Sequence, residues 1–291
     1  EFVRGSVLDE PLVRALVGTV DGVFHLAARV GVRLVLEQPS ATLETNVVGT
    51  RHVIAACRQH GIRRLVYTSS PSVVYDGGDM EGVDESVPYA THFEADYPRT
   101  KAEAERLVLA ANGPDLATVA LRPHLIWGPG DPHLVPRVLQ RARAGRLRRI
   151  GREDKRVDCI YVDNAADAHL LAADRLAPGS PVAGKAYFLS QGEPVPLWDF
   201  INRVLRTAGL PPVTRSVPVW AALALGGVLE GLYRLLRLPG EPPMTRFVAR
   251  QLSTAHWFDI SAARRDLGYS PAVSTEEGLR RLAAAWQQGQ H

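Results

Sequence analysis

Short apolar runs alternate with longer helical stretches through the first two thirds of the chain, and this alternation restricts the fold more than any other feature. Residues 23–28, 65–70, 118–122 and 157–162 are mostly apolar, and residues 1–3 look like the end of another such run. Strands that are apolar along their whole length and alternate with helices are typical of a parallel sheet covered on both faces. We therefore expect an α/β fold built on a doubly wound parallel sheet.

Helices are expected between these strands. One should cover about residues 40–60, another should begin near Tyr97-Pro98, and a third should span 135–144. Gly61 and Gly145 follow the first and third, and glycine commonly ends a helix, whereas proline suits a first helical turn.

The pattern changes after Gly184, where helices are separated by prolines and a single strand is expected at 186–190. We therefore predict two parts, a first domain over residues 1–180 and a smaller, mixed but mostly helical lobe over 181–291. The chain is expected to cross between them.

The composition argues against several classes of protein. The 291 residues include 34 basic and 31 acidic side chains, a formal net charge of +3, which gives little support to nucleic-acid binding. The arginine-rich segment 141–156 is expected to be a solvated helix and loop, with phosphate binding as the alternative. Cys57 and Cys159 are the only cysteines, so we expect no metal site and a reducing, cytoplasmic compartment. The longest uncharged run, 216–229, is too short to cross a membrane.

The informative chemical pattern joins a strand end to a helix start. Ser69 and Ser70 close the apolar run 65–70, and Tyr97 and Lys101 lie four residues apart at the start of the next helix. Residues at this spacing share one helix face. A nearby ammonium should lower the pKa of the phenol toward working pH, so that Tyr97 can exchange a proton with a carbinol or ketone. The alternative is that Tyr97 covers a core and Lys101 is solvated.

Several other motifs occur along the chain. They are His25-Leu26-Ala27-Ala28, Asn46-Val47-Val48-Gly49-Thr50, Leu121-Arg122-Pro123, Trp127-Gly128-Pro129-Gly130-Asp131, Tyr161-Val162-Asp163-Asn164, and Asp259 with Leu267-Gly268-Tyr269-Ser270-Pro271. Together with the Ser, Tyr and Lys above, they resemble the extended short-chain dehydrogenases/reductases over nearly the whole chain. The resemblance implies a Rossmann-type, NAD(P)-binding domain over 1–180 and a substrate-binding lobe over 181–291.

The resemblance also implies roles for individual residues. The catalytic group would be Ser70, Tyr97 and Lys101, with Ser69 as the competing serine. The cofactor would be bound by Asp9, Ala27, Ala28, Asn46, Tyr97, Lys101, Pro123 and His124. Asp9 can equally cap the first helix, and Asn46 can be a hydrogen-bonding residue within its helix.

One family feature is missing from these 291 residues. No glycine-rich turn of the kind that holds a pyrophosphate precedes a helix anywhere in the sequence. We expect that residues 1–3 correspond to the family's third strand and that the given chain lacks the opening βαβ unit. The residue that distinguishes NAD from NADP belongs to that unit, so the expectation of NADPH, with NAD as the alternative, rests on resemblance alone.

Two branches of the family are distinguished by the sequence. Dehydratases place an Asp-Glu pair beside the catalytic Thr, whereas this chain has Thr68-Ser69-Ser70, as in the hydroxysteroid dehydrogenase branch. Residues 70–76, 122–128 and 241–247 resemble bacterial reductases of long-chain olefin biosynthesis. This implies reduction of a 2-alkyl-3-oxoalkanoic acid, a β-keto acid with two long alkyl chains, to the 3-hydroxy acid. The alternatives are a 3-beta-hydroxysteroid or sterol dehydrogenase, a sugar-nucleotide epimerase, and a non-catalytic NAD(P)-sensing protein.

The apolar segment 217–238 admits several interpretations. It can line a tunnel for an acyl chain, dock on a partner, contact a membrane peripherally, or form an ordinary core helix. The family resemblance adds two expectations about partners, a homodimer and assembly with other enzymes of the olefin pathway.

Overall fold

The computed structural model describes residues 1–30, 39–93, 95–236, 238 and 242–288. Its main sheet has four parallel strands, which lie side by side in the order β1 (Val23–His25), β2 (Arg64–Thr68), β4 (Ala117–Pro123) and β9 (Lys185–Leu189). The α/β fold with a doubly wound parallel sheet is confirmed.

The helices are α1 (Glu10–Val17), α2 (Pro39–Leu43), α3 (Gly49–Gln59), α4 (Asp96–Ala110), α5 (Leu134–Arg143), α6 (Val162–Arg175), α7 (Leu197–Thr207), α8 (Val219–Leu235), α9 (Arg246–Gln251) and α10 (Thr275–Gln287). Helices α1, α3 and α4 pack on one face of the main sheet and α6 on the other. A π-helical stretch, Glu44–Val48, joins α2 to α3, so the helix predicted over 40–60 is confirmed as one nearly continuous segment.

Alternate residues of β2 point to opposite faces of the sheet. Leu65 and Tyr67 pack with α1, α3 and α4, whereas Val66 packs with the alanines of α6. All three side chains are buried, which is why β2 and its neighbours are apolar along their whole length.

The prediction of a strand at residues 1–3 is wrong. Phe2 is 90% exposed, and no strand of the described residues pairs with the free edge of β1. A strand is held by hydrogen bonds to a neighbour, so a short apolar run without one forms no strand. β1 itself ends at His25, earlier than predicted, and Ala27 and Ala28 lie in the loop that follows.

The remaining strands are short and lie outside the main sheet. They are β3 (Met80–Val83), β5 (Ile126–Trp127), β6 (Arg149–Ile150), β7 (Arg156–Val157), β8 (Ile160–Tyr161), β10 (Val195–Pro196), β11 (Ser216–Val217) and β12 (His256–Phe258). The single strand predicted over 157–162 is divided into β7 and β8, because β7 pairs with β10 and β12 while β8 pairs with β5.

The strand predicted for the second lobe, residues 186–190, belongs to the main sheet. β9 pairs with β4 along five residues and is buried at Tyr187, Phe188 and Leu189. The chain therefore returns to the first domain after residue 180, as the expected chain crossings allow. The division into 1–180 and 181–291 itself stays a prediction.

Helix α8 has a broad apolar face in solvent. Trp220 is 73% exposed, Val228 66% and Leu235 79%, so an ordinary core helix is not what these residues form. Arg237, from the same segment, and Glu241 lie outside the described residues. Within the part of the chain that the structure describes, no helix has both the length and the apolar character to cross a membrane.

Candidate active site

The predicted catalytic residues meet at the carboxyl-terminal edge of the main sheet. Ser70 lies just after β2, and Tyr97 lies in the first turn of α4. Pro123 is the last residue of β4, and His124 is the next residue in the chain. Ser70, Tyr97, Pro123 and His124 line one cavity of about 170 Å³, called here the site cavity. Open parallel sheets bind ligands at this edge. Cavities of about 620 Å³ and 790 Å³ lie elsewhere, and Ser70 and Tyr97 line neither of them.

The two candidate serines have different surroundings. Ser69 is buried, its backbone N–H donates to Leu121 O, and its hydroxyl has no hydrogen-bond partner. Ser70 faces the site cavity, and its Oγ accepts a hydrogen bond from the Ser72 hydroxyl at 2.9 Å. Ser70 lines the cavity and its hydroxyl can still donate a hydrogen bond, to Tyr97 or to a bound ligand, whereas Ser69 does not line it; the geometry therefore favours Ser70 over Ser69.

The pKa of Tyr97 moves in the opposite direction from the sequence-based expectation. Burial raises the pKa of this phenol, and a hydrogen bond with Ser70 opposes the shift. The ammonium of Lys101 is directed elsewhere, because its Nζ donates to Thr68 O at 2.5 Å and lies 4.2 Å from the centre of the Tyr67 ring. Tyr97 is therefore a protonated phenol at neutral pH, which suits a proton donor.

Lys101 is buried on α4, one helical turn after Tyr97. Burial lowers the pKa of its ammonium to about 7, and the negative charge of Glu105 opposes that shift. Glu105 lies one helical turn further along α4 and is shared with β4, because Arg122 donates to its two oxygens at 2.6 Å and 3.1 Å. This buried pair fixes the helix that carries Tyr97 and Lys101 against the strand that carries Pro123.

Asn46 connects the loop after β1 to the catalytic helix. Its Oδ1 accepts from Arg29 N at 2.7 Å, and its Nδ2 donates to Thr100 Oγ1 at 3.0 Å. Thr100 in turn donates to Tyr97 O at 3.1 Å. The Asn46 side chain thus positions two backbone segments of the site, while its predicted contact with the cofactor stays a prediction.

The residues predicted to hold a dinucleotide fit its nicotinamide end better than its pyrophosphate. Tyr97, Pro123 and His124 line the site cavity, and Lys101 is buried one helical turn after Tyr97. Ala27 and Ala28 follow β1 at the same edge of the sheet, as a cofactor-binding loop should. Asp9 caps α1 by accepting from Leu12 N at 3.1 Å, which confirms its alternative role, and its contact with adenine stays a prediction.

Sequence reasoning missed a histidine pair in the site cavity. His124 Nε2 lies 2.7 Å from His256 Nδ1, and His256 Nε2 donates to Gln251 O at 2.8 Å. Burial lowers the pKa of both imidazoles, so the pair is neutral at pH 7. His256 lies on β12, far along the chain from the other site residues. A single histidine in a short apolar run gave no indication that it would contact His124.

Comparison with known proteins identifies the family. The sequence profile of the 3-beta hydroxysteroid dehydrogenase/isomerase family matches residues 1–219. The chain belongs to this family. Members are NAD(P)-dependent oxidoreductases, so the expected enzyme class is confirmed.

Curated relatives of this family member cover nearly the whole chain. A 2-alkyl-3-oxoalkanoate reductase of Stenotrophomonas maltophilia is 52% identical over 97% of this chain and 86% of its own length. The protein of the same name from Shewanella oneidensis is 51% identical over 98% of this chain and 75% of its own length. A 3 beta-hydroxysteroid dehydrogenase/Delta 5-->4-isomerase of Mycobacterium tuberculosis is 36% identical over 96% and 77%.

Solved structures share the fold of this family member. A UDP-glucuronic acid 4-epimerase from Bacillus cereus in complex with NAD has a TM-score of 0.74 at 21% identity, over all of this chain and 82% of its own. RMD from Pseudomonas aeruginosa, complexed with NADPH, has a TM-score of 0.71 at 19% identity, over 98% and 88%. The predicted Rossmann-type fold is therefore confirmed.

Proposed function

We propose that the chain is an NADPH-dependent reductase that converts a 2-alkyl-3-oxoalkanoic acid to the 2-alkyl-3-hydroxyalkanoic acid. The observation that carries this proposal is the convergence of Ser70 and Tyr97 on one cavity, with Lys101 on the same helix face as Tyr97. The names of the relatives at 52% and 51% identity supply the substrate class.

The protein's share of the reaction is to hold the ketone and deliver a proton. The Ser70 hydroxyl donates a hydrogen bond to the ketone oxygen, and Tyr97 transfers its phenolic proton to that oxygen as the carbinol forms. The raised pKa of Tyr97 keeps this proton in place until it is needed. Lys101, Pro123 and His124 would hold the nicotinamide end of the cofactor. When bound, the cofactor supplies the hydride.

NADPH is proposed over NAD because of the resemblance to the olefin-pathway reductases. Of the two solved structures described above, the Bacillus cereus epimerase contains NAD and RMD from Pseudomonas aeruginosa contains NADPH. Initial rates measured with each cofactor at matched concentrations will decide between the two.

The test is consumption of NADPH, followed by absorbance, in the presence of long-chain 3-oxo acids, 3-oxosteroids and UDP-sugars. Reduction of the 3-oxo acids alone supports the proposal, and steroid turnover alone favours the hydroxysteroid dehydrogenase alternative, which the family and the Mycobacterium tuberculosis relative support. Epimerisation of a UDP-sugar without net NADPH consumption would favour the epimerase. Binding of NADPH without any turnover would identify a sensor.

Tyr97→Phe tests the proton donor. The variant should lower kcat by roughly 10²- to 10⁴-fold, the range for a positioned proton transfer, and should still bind NADPH. Fluorescence titration with NADPH is the control, because lost cofactor binding would mean a structural defect rather than a missing proton. Unchanged turnover would exclude Tyr97 as the proton donor.

The exposed apolar face of α8 supports a proposal about association. We propose that Trp220, Val228 and Leu235 contact another surface, since exposed apolar patches of this kind mark interaction sites. A homodimer, assembly with other olefin-pathway enzymes and peripheral membrane contact are the three forms that the sequence indicates. Light scattering, co-purification with such enzymes and co-sedimentation with lipid vesicles distinguish them.

A further inference from the structure

A second cavity adjoins the site cavity, and it is lined both by residues before 180 and by residues of the second lobe. It has a volume of about 100 Å³ and lies between α5 and α7. Leu134 and Val138 line it from α5, and Phe200, Ile201 and Val204 line it from α7. We call it the lobe cavity.

The site cavity and the lobe cavity share a wall. Leu125, Gln251 and His256 line both of them. His256 is held in this wall by its hydrogen bonds to His124 and to Gln251 O. The same three residues therefore border both spaces, and a displacement of their side chains would join the site cavity to the lobe cavity.

Leu125 gives this wall an unusual backbone. It is the only non-glycine residue with a positive φ, 43°, among the residues that the structure describes. A leucine rarely adopts this conformation, and such strain is retained mainly where the surrounding structure imposes it, often at functional sites. The turn at Leu125 leads the chain from β4 into β5, and Leu125 lines both cavities.

The lining of the lobe cavity suits an alkyl chain. All of its lining residues are apolar except Gln251 and His256, and both ring nitrogens of His256 already have partners. A cavity of about 150 Å³ with such a lining stays dry and binds benzene, so one of about 100 Å³ should accept a short alkyl segment rather than water. No charged side chain lines it.

We propose that the lobe cavity binds the end of one alkyl chain of the substrate, which enters past Leu125, Gln251 and His256 from the site cavity. This proposal rests on the function proposed above and locates a determinant of chain length. The segment 217–238, one sequence-based candidate for an acyl tunnel, is placed elsewhere, because none of its described residues lines either cavity.

The experiment measures KM along a series of 2-alkyl-3-hydroxyalkanoic acids in which one alkyl chain increases in length, oxidised in the reverse direction with NADP⁺. For the unmodified chain, KM should fall about fourfold for each methylene group that enters the lobe cavity, and should then level off. Val138→Phe adds about four carbon atoms to the cavity wall and should end this fall at a shorter chain. Phe200→Leu shortens a side chain of the opposite wall and so enlarges the cavity. In this variant KM should continue to fall up to a longer chain.

Val195→Phe is the matched control, because Val195 is a partly buried valine of the second lobe that does not line the lobe cavity. It should leave the chain-length profile unchanged. If Val138→Phe and Phe200→Leu leave it unchanged as well, or if all three variants shift KM equally at every length, the lobe cavity is not the alkyl site.

Binding of benzene, measured by calorimetry, tests the cavity without any turnover. The unmodified chain should bind it, and Val138→Phe should weaken binding by at least tenfold. Equal binding by both proteins overturns the proposal. If the enzyme oxidises no 3-hydroxy acid of any length while this difference in binding is present, the proposed function fails and the apolar site stands.

Discussion

Removal of the Glu105 charge tests how the catalytic helix is held in place. Arg122 and Glu105 form a salt bridge of 2.6 Å in which the side chains are only 4% and 0% exposed, respectively. Tyr89 also donates to Glu105 Oε1, at 2.7 Å. In Glu105→Gln the guanidinium of Arg122 loses its counter-ion while it remains buried. Breaking a buried pair in this way costs about 3–5 kcal/mol of unfolding free energy.

Thermal unfolding followed by circular dichroism measures this cost. For a protein of this size, such a loss should lower Tm by roughly 6–20 °C. Asp96→Asn is the matched control, because Asp96 and Arg99 form a salt bridge at the start of the same helix with both side chains about half exposed. Exposed pairs contribute about 0–1 kcal/mol, so this variant should be nearly as stable as the unmodified chain.

A double variant separates the missing charge from the missing packing. Glu105→Gln combined with Arg122→Met leaves no unpaired charge, and it should therefore be more stable than Glu105→Gln alone. The reasoning is refuted if Glu105→Gln and Asp96→Asn lower Tm equally, or if the double variant is the least stable of the three.

Three further predictions concern the site and its titrating groups. Steady-state kinetics should show that Ser70→Ala lowers kcat more than tenfold and that Ser69→Ala lowers it less. The opposite order would mean that Ser69 contacts the substrate. The pKa of Lys101 is lowered from 10.5 to about 7, so between pH 7 and 10.5 the unfolded chain binds a proton that the folded chain does not. The free energy of unfolding should therefore rise with pH in this range, by up to about 1.4 kcal/mol per pH unit. Urea unfolding of Lys101→Met should lack this rise. His25 has a pKa lowered from 6.5 to about 4, chiefly by burial, so its contribution to stability is present above pH 6.5 and is lost as pH falls toward 4. The stability of His25→Gln should vary less over that range, and an equal acid sensitivity of both proteins would contradict the assignment.

The parts of the fold that the sequence predicted are those governed by local patterns. The apolar runs at β2 and β4 and the glycines after α3 and α5 specify where strands and helices lie, because buried parallel strands and helix ends depend on nearby residues. The failures occurred where a distant partner decides the outcome. Residues 1–3 form no strand because no strand among the described residues pairs with them, and 157–162 is divided because β7 and β8 pair with different strands.

For the site, too, local patterns could be predicted and the effects of distant residues could not. The spacing of Tyr97 and Lys101 and the serines at the end of β2 predicted which groups react, since residues four apart share a helix face and strand ends meet at one sheet edge. The direction of the Tyr97 pKa shift was predicted wrongly, because burial and the orientation of the Lys101 ammonium outweigh the short distance along the helix.

The sequence by itself determined the family and the α/β layout and predicted the roles of the serine, tyrosine and lysine, because these depend on residue type and on spacing along the chain. Only the tertiary structure decided what surrounds them. It brought His256 from β12 against His124, directed Lys101 to Thr68 O, and placed the lobe cavity behind Leu125. Contacts between residues that are far apart in the chain follow from how helices and strands pack, and no local spacing records them.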